Sequence, residues 1–322
     1  MSNLIVFMFS GQGSQYYHMG QEFFARQPVF RSWMLRLNDI VYEITGESVL
    51  NKLYDGQKTR SEVFSSILYT YPAIFMVEYA LAQVCMETGI IPDYVLGTSM
   101  GEFAAAAIAG VMTVEEILKV LLEQANLIKA CCPSGGMLAI LHDSSLYSET
   151  AVINRNSELA SINYNNHFVI SGKTEELKEI EEFLRDKKII SQLLPVTYGF
   201  HSSLIDSAAI RYLDFLKGKI YHKPRIPLAS CIQGRILTQL PNAYFWEVAR
   251  KPIVFPEALK ELEKQSSKNL VYLDLGPGGS LTSFAKRNIN IDSQSEVYNI
   301  MSPFNQDIKN LNKIKDRLAC RI

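Results

Sequence analysis

The 322-residue sequence predicts an α/β protein in which a small unit is inserted into a larger domain. Three observations predict it. A short apolar run at residues 3–9 is stopped by glycines, which is typical of a buried strand followed by a loop. Residues 20–45 and 67–88 carry apolar side chains at helical spacing. Between residues 130 and 197 the patterns follow the order β-α-β-β-α-β, as in a split, ferredoxin-like unit.

Composition limits the class of protein. The apolar share of 48% and the charged share of 20% are those of an ordinary globular enzyme. Lys and Arg number 32 against 33 Asp and Glu, which gives a formal net charge of −1. This balance offers no electrostatic support for a surface that binds nucleic acid or an anionic membrane. We therefore expect neither a nucleic acid nor a membrane among the partners.

The start of the chain and the cysteines indicate a cytoplasmic protein. No basic segment precedes the apolar run at residues 3–9, so we interpret that run as a first strand and not as a signal peptide. We expect no apolar run of the length needed to span a bilayer. The cysteines are odd in number, scattered and without paired metal-ligand spacing, which predicts reduced thiols and no metal site. They are Cys85, Cys131, Cys132, Cys231 and Cys320.

Residues 97–101 read Gly-Thr-Ser-Met-Gly and fit the pattern G-x-S-x-G. The pattern alone is weak, but an apolar strand precedes it and an alanine-rich helix follows, which is the context that the pattern needs. A strand that turns sharply into a helix would hold Ser99 in a strained turn at the helix N-terminus. The backbone N–H of Met100 and the helix dipole could then face a developing oxyanion. Ser99 is thus the candidate nucleophile of an acyl transfer.

A second oxyanion donor and a base must come from elsewhere in the chain. The glycine-rich residues 11–15 follow the first strand and could bring the backbone N–H of Gln12 close to a substrate, although a plain glycine turn is the alternative. Among the five histidines, His201 lies where the inserted unit returns to the larger domain, and such junctions favour ligand clefts. No acidic residue stands obviously beside His201, so its third group could be a backbone carbonyl.

Nine segments, in this order, are similar to those of the malonyl-CoA:acyl-carrier-protein transacylase family, which includes the acyltransferases of fatty-acid and polyketide synthesis. The resemblance covers nearly the whole chain. The segments are GQGSQ (11–15), YPAIFMVEYAL (71–81), GTSMGE (97–102), GGMLAI (135–140), FVISG (168–172), PVTYGFHS (195–202), LASCIQGRI (228–236), WEVARKPIVF (246–255) and LDLGPGGSLT (273–282).

The resemblance implies a fold and a set of partners. The fold is an α/β-hydrolase-like catalytic domain, residues 1–129 and 198–322, with a ferredoxin-like subdomain at residues 130–197. No cofactor is bound, and coenzyme A or phosphopantetheine thioesters are substrates. The partner is an acyl carrier protein of a polyketide or fatty-acid synthase. The sequence does not give the oligomeric state, for which we favour a monomer.

The resemblance also implies a ping-pong reaction. An acyl thioester acylates Ser99 while His201 takes the proton, and the acyl group then passes to a phosphopantetheine thiol or to water. The family pattern places the oxyanion hole at the backbone of Gln12 and Met100. It orients the histidine through a main-chain carbonyl, here that of Lys251.

One departure from the family concerns substrate charge. Malonyl-type members keep an arginine on the helix after the nucleophile, where it pairs with the free carboxylate of the substrate. That place falls on Gln124, whose amide cannot form a bidentate, charge-assisted pair. We therefore expect an acyl pocket that prefers uncharged chains, unless Lys119 or Lys129 replaces the arginine.

Further departures leave the substrate open. Thr98 stands where the family has histidine, and Tyr71 stands where the family has glutamine. Ahead of the base, Tyr198 and Phe200 mix features of malonyl-type and branched-acyl-type members. We assign Thr98, Tyr198, Phe200 and Gln124 to the acyl pocket.

Several functions fit these residues. We favour an editing enzyme of polyketide or fatty-acid biosynthesis that hydrolyses uncharged acyl groups from acyl carrier protein. An S-acyltransferase for acetyl, propionyl or malonyl units is the alternative. A non-catalytic synthase partner is disfavoured because Ser99 and His201 are both present, and an ordinary esterase would need an acidic partner for the histidine.

Overall fold

The computed structural model describes residues 3–266, 268–304 and 306–319. The strands are β1 (Leu4–Phe9), β2 (Tyr94–Gly97), β3 (Gly136–Ile140), β4 (Glu158–Tyr164), β5 (His167–Gly172), β6 (Ser191–Leu193), β7 (Leu228–Ser230), β8 (Arg235–Leu237), β9 (Ile253–Val254), β10 (Leu270–Asp274) and β11 (Glu296–Asn299). The helices are α1 (Gln21–Arg26), α2 (Pro28–Thr45), α3 (Val49–Leu53), α4 (Ile67–Glu87), α5 (Gly101–Ile108), α6 (Val114–Cys131), α7 (Ser145–Glu149), α8 (Ala151–Asn154), α9 (Thr174–Asp186), α10 (Ala209–Lys217), α11 (Tyr244–Arg250), α12 (Phe255–Gln265), α13 (Ser280–Asn288) and α14 (Asp307–Ala319), with a 3₁₀ helix at Ser203–Ala208.

Within these ranges a large sheet has the strand order β11-β10-β1-β2-β7-β8. Its first five strands are parallel, and only β8 runs antiparallel to its neighbour β7. The central strand β1 reads LIVFMF and is fully buried over its last four residues, as expected of a strand covered on both faces. Phe9 at the end of β1 pairs with Gly97 at the end of β2. The loops after these two strands therefore lie side by side at the carboxyl edge of the sheet.

The second sheet has the order β6-β3-β5-β4-β9. Its first four strands are antiparallel, and helices α7 to α9 connect them in the predicted order β-α-β-β-α-β. A separate small core lies between this sheet and α9, with Leu138, Phe168 and Ile180 among its members. The last strand, β9, pairs in parallel with β4 and comes from residues 253–254, outside the predicted insert. The prediction of a mixed α/β fold is confirmed, while the domain boundaries and the α/β-hydrolase likeness stay predictions.

The predicted helical segment at residues 20–45 is two helices, because the chain breaks at Gln27 and Pro28. Proline has no backbone N–H and favours the first turn of a helix, and Pro28 starts α2. The residue before it is pushed out of the helical region, and Gln27 has φ −111° and ψ 106°. Its side chain accepts a hydrogen bond from the Val29 N–H and so caps the new helix.

Helix α4 corrects one expectation. By length and composition it could cross a membrane, so the sequence does contain one apolar run of sufficient length. In the structure, 83% of that apolar window is buried inside the protein, where α4 packs against α2, α5 and α6. The helix is apolar on most faces because it lies in the core.

The cysteines of the described ranges are unpaired. Cys85 and Cys231 are buried, while Cys131 and Cys132 are partly exposed. The remaining cysteine, Cys320, lies outside the described residues.

Candidate active site

Ser99 lies in the sharp turn between β2 and α5. Its φ of 52° is in the left-handed region, which non-glycine residues rarely adopt, as the predicted strained turn requires. A Cβ atom at Gly101 would collide with the backbone carbonyl of Phe9. Only glycine lets α5 start this close to β1, so the last glycine of the G-x-S-x-G pattern follows from packing.

His201 completes a pair with Ser99. The Ser99 Oγ and His201 Nε2 atoms are 2.9 Å apart, and His201 Nδ1 lies 2.7 Å from the Lys251 carbonyl oxygen. Because a carbonyl oxygen only accepts, Nδ1 carries the proton and Nε2 is left to accept from the Ser99 hydroxyl. The sequence-predicted residues Ser99, His201 and Lys251 are thus brought together in the geometry of a nucleophile, a base and a group that orients the base.

The electrostatic setting keeps the imidazole of His201 neutral. The side chain is 2% exposed, and this burial lowers the histidine pKa to about 4. The hydrogen bond to the Lys251 carbonyl raises the pKa of His201 and so opposes burial, whereas the positive charge of Arg250 lowers it further. At neutral pH the ring is therefore able to accept a proton.

The loop after β1 lies directly against the nucleophile turn. A Cβ at Gly11 would be 2.8 Å from the Ser99 Cβ and 3.0 Å from the Thr98 carbonyl oxygen, so only glycine permits this approach. In the part of the chain that the structure describes, the backbone N–H groups of Gln12 and Met100 donate to no protein oxygen. These two groups remain available on either side of Ser99, as an oxyanion hole requires.

A cavity of about 260 Å³ lies between the two sheets and reaches Ser99 and His201. One wall comes from the nucleophile side and includes Thr98 and Phe200. The opposite wall is a face of the small sheet with Met137, Ala139, Val169 and Leu194. Among the described residues that line it there is no Asp, Glu, Lys or Arg.

Comparison with known proteins identifies the family. Residues 6–319 match the family described as the acyl transferase domain. The chain belongs to the acyltransferase family. Over 315 residues it is 47% identical to the polyketide biosynthesis acyltransferase homolog PksD of Bacillus subtilis (strain 168), covering 98% of this chain and 97% of that protein. It is 46% identical over 318 residues to the homolog BaeD of Bacillus velezensis, covering 99% and 98%.

The fold of the acyltransferase is similar to that of solved acyltransferase domains. The acyltransferase domain from the second module of the salinomycin polyketide synthase superposes with a TM-score of 0.84 at 25% identity, over 97% of this chain and 72% of that one. The prediction of an acyltransferase enzyme of polyketide biosynthesis is therefore confirmed.

Two residues that the sequence assigned to the acyl pocket of the acyltransferase do not line the cavity, namely Gln124 and Tyr198. Gln124 is 2% exposed, and its Nε2 donates to the Phe245 carbonyl oxygen at 2.8 Å. Its amide satisfies a buried carbonyl oxygen and does not face the reacting atoms.

Tyr198 is only partly buried and packs edge-on against Phe200, with ring centroids 6.2 Å apart. Phe200 lines the cavity, whereas Tyr198 contacts Phe200 without lining it. Of the four predicted pocket residues, the cavity therefore contains Thr98 and Phe200.

Two buried glutamates that the sequence analysis missed lie next to the site, one on α4 and one on α5. Glu78 Oε1 accepts hydrogen bonds from both the N–H and the hydroxyl of Ser10, each at 2.7 Å, just before the loop that carries Gln12. Glu102 Oε1 accepts from the Ser230 hydroxyl at 2.9 Å and the Cys231 N–H at 2.8 Å. Burial raises the pKa of Glu78 well above its usual range and that of Glu102 to about 8. The available signal was a glutamate among apolar residues inside each helix, Glu78 in the middle of α4 and Glu102 as the sole charged residue of α5.

The sequence analysis also missed a polar part of the cavity lining, formed by Ser161, Asn163 and His167. The Ser161 hydroxyl donates to Asn163 Oδ1 at 2.6 Å, so the Asn163 amide nitrogen faces His167 Nδ1 at 2.9 Å. His167 therefore accepts at Nδ1 and keeps its proton on Nε2. Burial lowers the pKa of His167, which favours this neutral ring.

Proposed function

We propose that the acyltransferase hydrolyses uncharged acyl groups from acyl carrier protein through an ester on Ser99, as an editing enzyme of polyketide biosynthesis. The observation that carries the proposal is the uncharged wall of the cavity beside Ser99 and His201. A malonyl group would bring a carboxylate into this space without a counter-ion. The carboxylate would therefore lack the charge-assisted hydrogen bonds that a cation provides, which are worth roughly 1.5–3 kcal/mol. Acetyl-like chains carry no such cost.

The geometry supports both halves of the reaction. In the first half, Ser99 Oγ attacks the thioester carbonyl while its proton moves to His201 Nε2. The oxyanion accepts hydrogen bonds from the backbone N–H groups of Gln12 and Met100. The C–S bond then breaks, and the imidazolium returns the proton to the leaving thiolate.

In the second half, His201 takes a proton from water and the resulting hydroxide attacks the Ser99 ester. The second tetrahedral oxyanion uses the same N–H groups, and Ser99 leaves with the proton from the imidazolium. The products are a free carboxylic acid and the restored hydroxyl of Ser99.

The carrier protein and the thioester substrates follow from this reaction class. The thiol is phosphopantetheine on the carrier protein or coenzyme A, and neither is a resident cofactor. We place the reaction in the cytoplasm, where carrier proteins are loaded, and take the monomer as the working unit.

Transfer of acetyl or propionyl to a carrier thiol is the second candidate. The same uncharged cavity favours it, because the wall discriminates by charge and not by the final acceptor. Malonyl transfer ranks third, because the described lining of the cavity offers no cation for the malonyl carboxylate.

Intact-protein mass spectrometry tests the proposal. The acyltransferase is incubated separately with acetyl-CoA, malonyl-CoA and an acetylated carrier protein, and the masses of enzyme and carrier are followed. We expect rapid loss of acetyl from the carrier and no stable malonyl adduct. A stable acetyl-enzyme that passes its group to free carrier thiol would support the transferase instead, and a stable malonyl-enzyme would contradict both neutral-acyl functions.

Two variants of the reacting residues and one control variant test the mechanism. Ser99→Ala should form no adduct with the thioesters or with a serine-reactive phosphonate, whereas Ser161→Ala, in the same cavity, should still be labelled at Ser99. His201→Ala should slow acylation by roughly 10²- to 10⁴-fold, the usual contribution of a general base. An adduct on Ser99→Ala, or a normal rate in His201→Ala, would overturn the mechanism.

A further inference from the structure

The end of α11 holds His201 at two points. The His201 backbone N–H donates to the Ala249 carbonyl oxygen at 2.8 Å, and the ring Nδ1 donates to the Lys251 carbonyl oxygen at 2.7 Å. His201 itself has a φ of 59°, a left-handed conformation that persists only when its surroundings impose it. The residue between the two carbonyl groups is Arg250.

The side chain of Arg250 reaches two carboxylates on different elements. Its Nε lies 2.7 Å from Asp206 Oδ1, in the 3₁₀ helix that directly follows His201. Its Nη1 lies 3.4 Å from Glu158 Oε2, at the start of β4 in the small sheet. The other oxygen of Glu158 accepts from the backbone N–H of Ser203 at 2.7 Å. One arginine thus links the end of α11, the turn after the histidine and the small sheet.

Solvent exposure limits what these ion pairs contribute to stability. The Arg250 side chain is 28% exposed, and those of Glu158 and Asp206 are 41% and 50% exposed. Pairs with this exposure contribute little to the free energy of folding one by one. Their effect here is geometric, because all of them converge on the segment that places one ring.

We propose that Arg250 is a positioning residue, which by binding Asp206 and Glu158 together holds His201 between Ala249 and Lys251. The inference rests on the proposed role of His201 as the base. It extends that role, because the small sheet forms the opposite wall of the cavity and Glu158 belongs to that sheet. The placement of the acyl-binding wall and the orientation of the base therefore depend on the same arginine.

The charge of Arg250 adds an electrostatic effect, since it lowers the pKa of His201 beyond what burial does. The other charged groups around this corner are Glu158 on β4, Asp206 on the 3₁₀ helix, and Glu247 with Lys251 at the end of α11. Glu247 and Lys251 form their own ion pair at 3.0 Å. Arg250 is the cation among these groups that affects the His201 titration.

The experiment compares Arg250→Met, Arg250→Lys and Glu158→Gln by single-turnover acylation of Ser99 across pH, with thermal unfolding as a check on folding. Arg250→Met should lower the acylation rate constant roughly 10- to 100-fold, the scale of a misplaced catalytic group. Its acid limb should move to higher pH, because the nearby positive charge is gone. Arg250→Lys should lower the rate but keep the acid limb, since it retains charge without the planar fork. The control Arg185→Met removes an exposed ion pair on α9 and should change neither the acylation rate constant nor the acid limb.

Glu158→Gln keeps the experiment decisive if Arg250→Met folds poorly. It should slow acylation several-fold, and in the double variant with Arg250→Met the two losses should be less than additive, because both remove one shared contact. Unchanged rates and an unchanged acid limb in Arg250→Met and Glu158→Gln, with His201→Ala inactive, would overturn this inference alone. A normal rate in His201→Ala would instead overturn the proposed function on which it rests.

Discussion

The Nδ1 atom of His201 lies 2.7 Å from the main-chain carbonyl oxygen of Lys251, where many serine hydrolases place a carboxylate. The carbonyl keeps the imidazole in the tautomer that leaves Nε2 free for Ser99, as a carboxylate would. It carries no full negative charge, so it stabilises the imidazolium less. Burial is therefore the largest influence on the pKa of the ring.

The acylation rate should depend on pH through His201. Only the neutral ring accepts a proton, and its pKa is lowered to about 4. We expect the single-turnover rate constant to be constant near neutral pH and to fall as the pH drops through about 4. Rapid-quench mass spectrometry of the acyl-enzyme measures it, with circular dichroism to confirm that the protein stays folded.

The exposed histidine His142 supplies the control, since His142→Ala should leave the pH profile of acylation unchanged.

The lowered pKa of His201 also affects the stability of the fold. The unfolded chain binds a proton near the ordinary value of 6.5 and the folded protein only near 4, so the free energy of unfolding should decrease as the pH falls through that window. An acid limb centred at 6.5 would contradict a buried base.

Gly11→Ala should separate the loop after β1 from Ser99. The added methyl would lie 2.8 Å from the Ser99 Cβ and 3.4 Å from the Ser99 Oγ, so one of the two loops must move. We expect acylation to slow roughly 10²-fold, the cost of a displacement of about 1 Å. Gly218→Ala is the matched control, because a Cβ there meets no atom within 4 Å. Equal activity in both variants would show that the Gly11 contact is not needed.

Glu102→Ala should destabilise the fold by about 3–5 kcal/mol, because it leaves the buried partners Cys231 N–H, Ser230 and Tyr244 without an acceptor. Glu102→Gln should cost about 1 kcal/mol or less, since the carboxyl is neutral at pH 7 and an amide oxygen accepts equally well. Urea unfolding measures both values.

The pH dependence of Glu102 has the opposite sign to that of His201. Its folded-state pKa is raised from 4.5 to about 8, so its contribution is fully present below about 4.5 and is lost as the pH rises through about 8. The difference in stability between wild type and Glu102→Gln should therefore shift in favour of Gln from pH 6 to pH 9. A constant difference would mean that Glu102 is ionised throughout.

Gln124→Leu should affect stability and not specificity. The Phe245 carbonyl oxygen would lose its buried partner, at a cost of about 1–3 kcal/mol. The ratio of acetyl to malonyl loading should stay within about twofold, because the side chain lies outside the cavity. Gln265→Leu, which removes an exposed amide, shows the background cost. A tenfold change in the ratio would return Gln124 to the acyl pocket.

Local signals in the sequence determined the elements and the nucleophile turn. The glycines around Ser99 can be read directly, because a chain that turns from β2 into α5 against β1 has no room for a Cβ. The succession of strands and helices along residues 130–197 could be predicted because strands and helices have different periods of apolar residues. Pro28 is a local signal for a helix break, but the apolar spacing is helical on both sides of it, so the sequence analysis treated residues 20–45 as one helical segment.

Tertiary structure decided which distant groups meet. The Lys251 carbonyl reaches His201 across 50 residues. Counting along the helix assigns Gln124 to the pocket, but its side chain donates to the Phe245 carbonyl oxygen. Arg250 finds Glu158 across 92 residues. A residue's helical spacing gives the face on which it lies, but its partner depends on how two sheets and their helices pack. The sequence by itself therefore determined the candidate nucleophile, its turn and the order of the elements, while the residues that line the cavity and the ion pairs of Arg250 depend on packing.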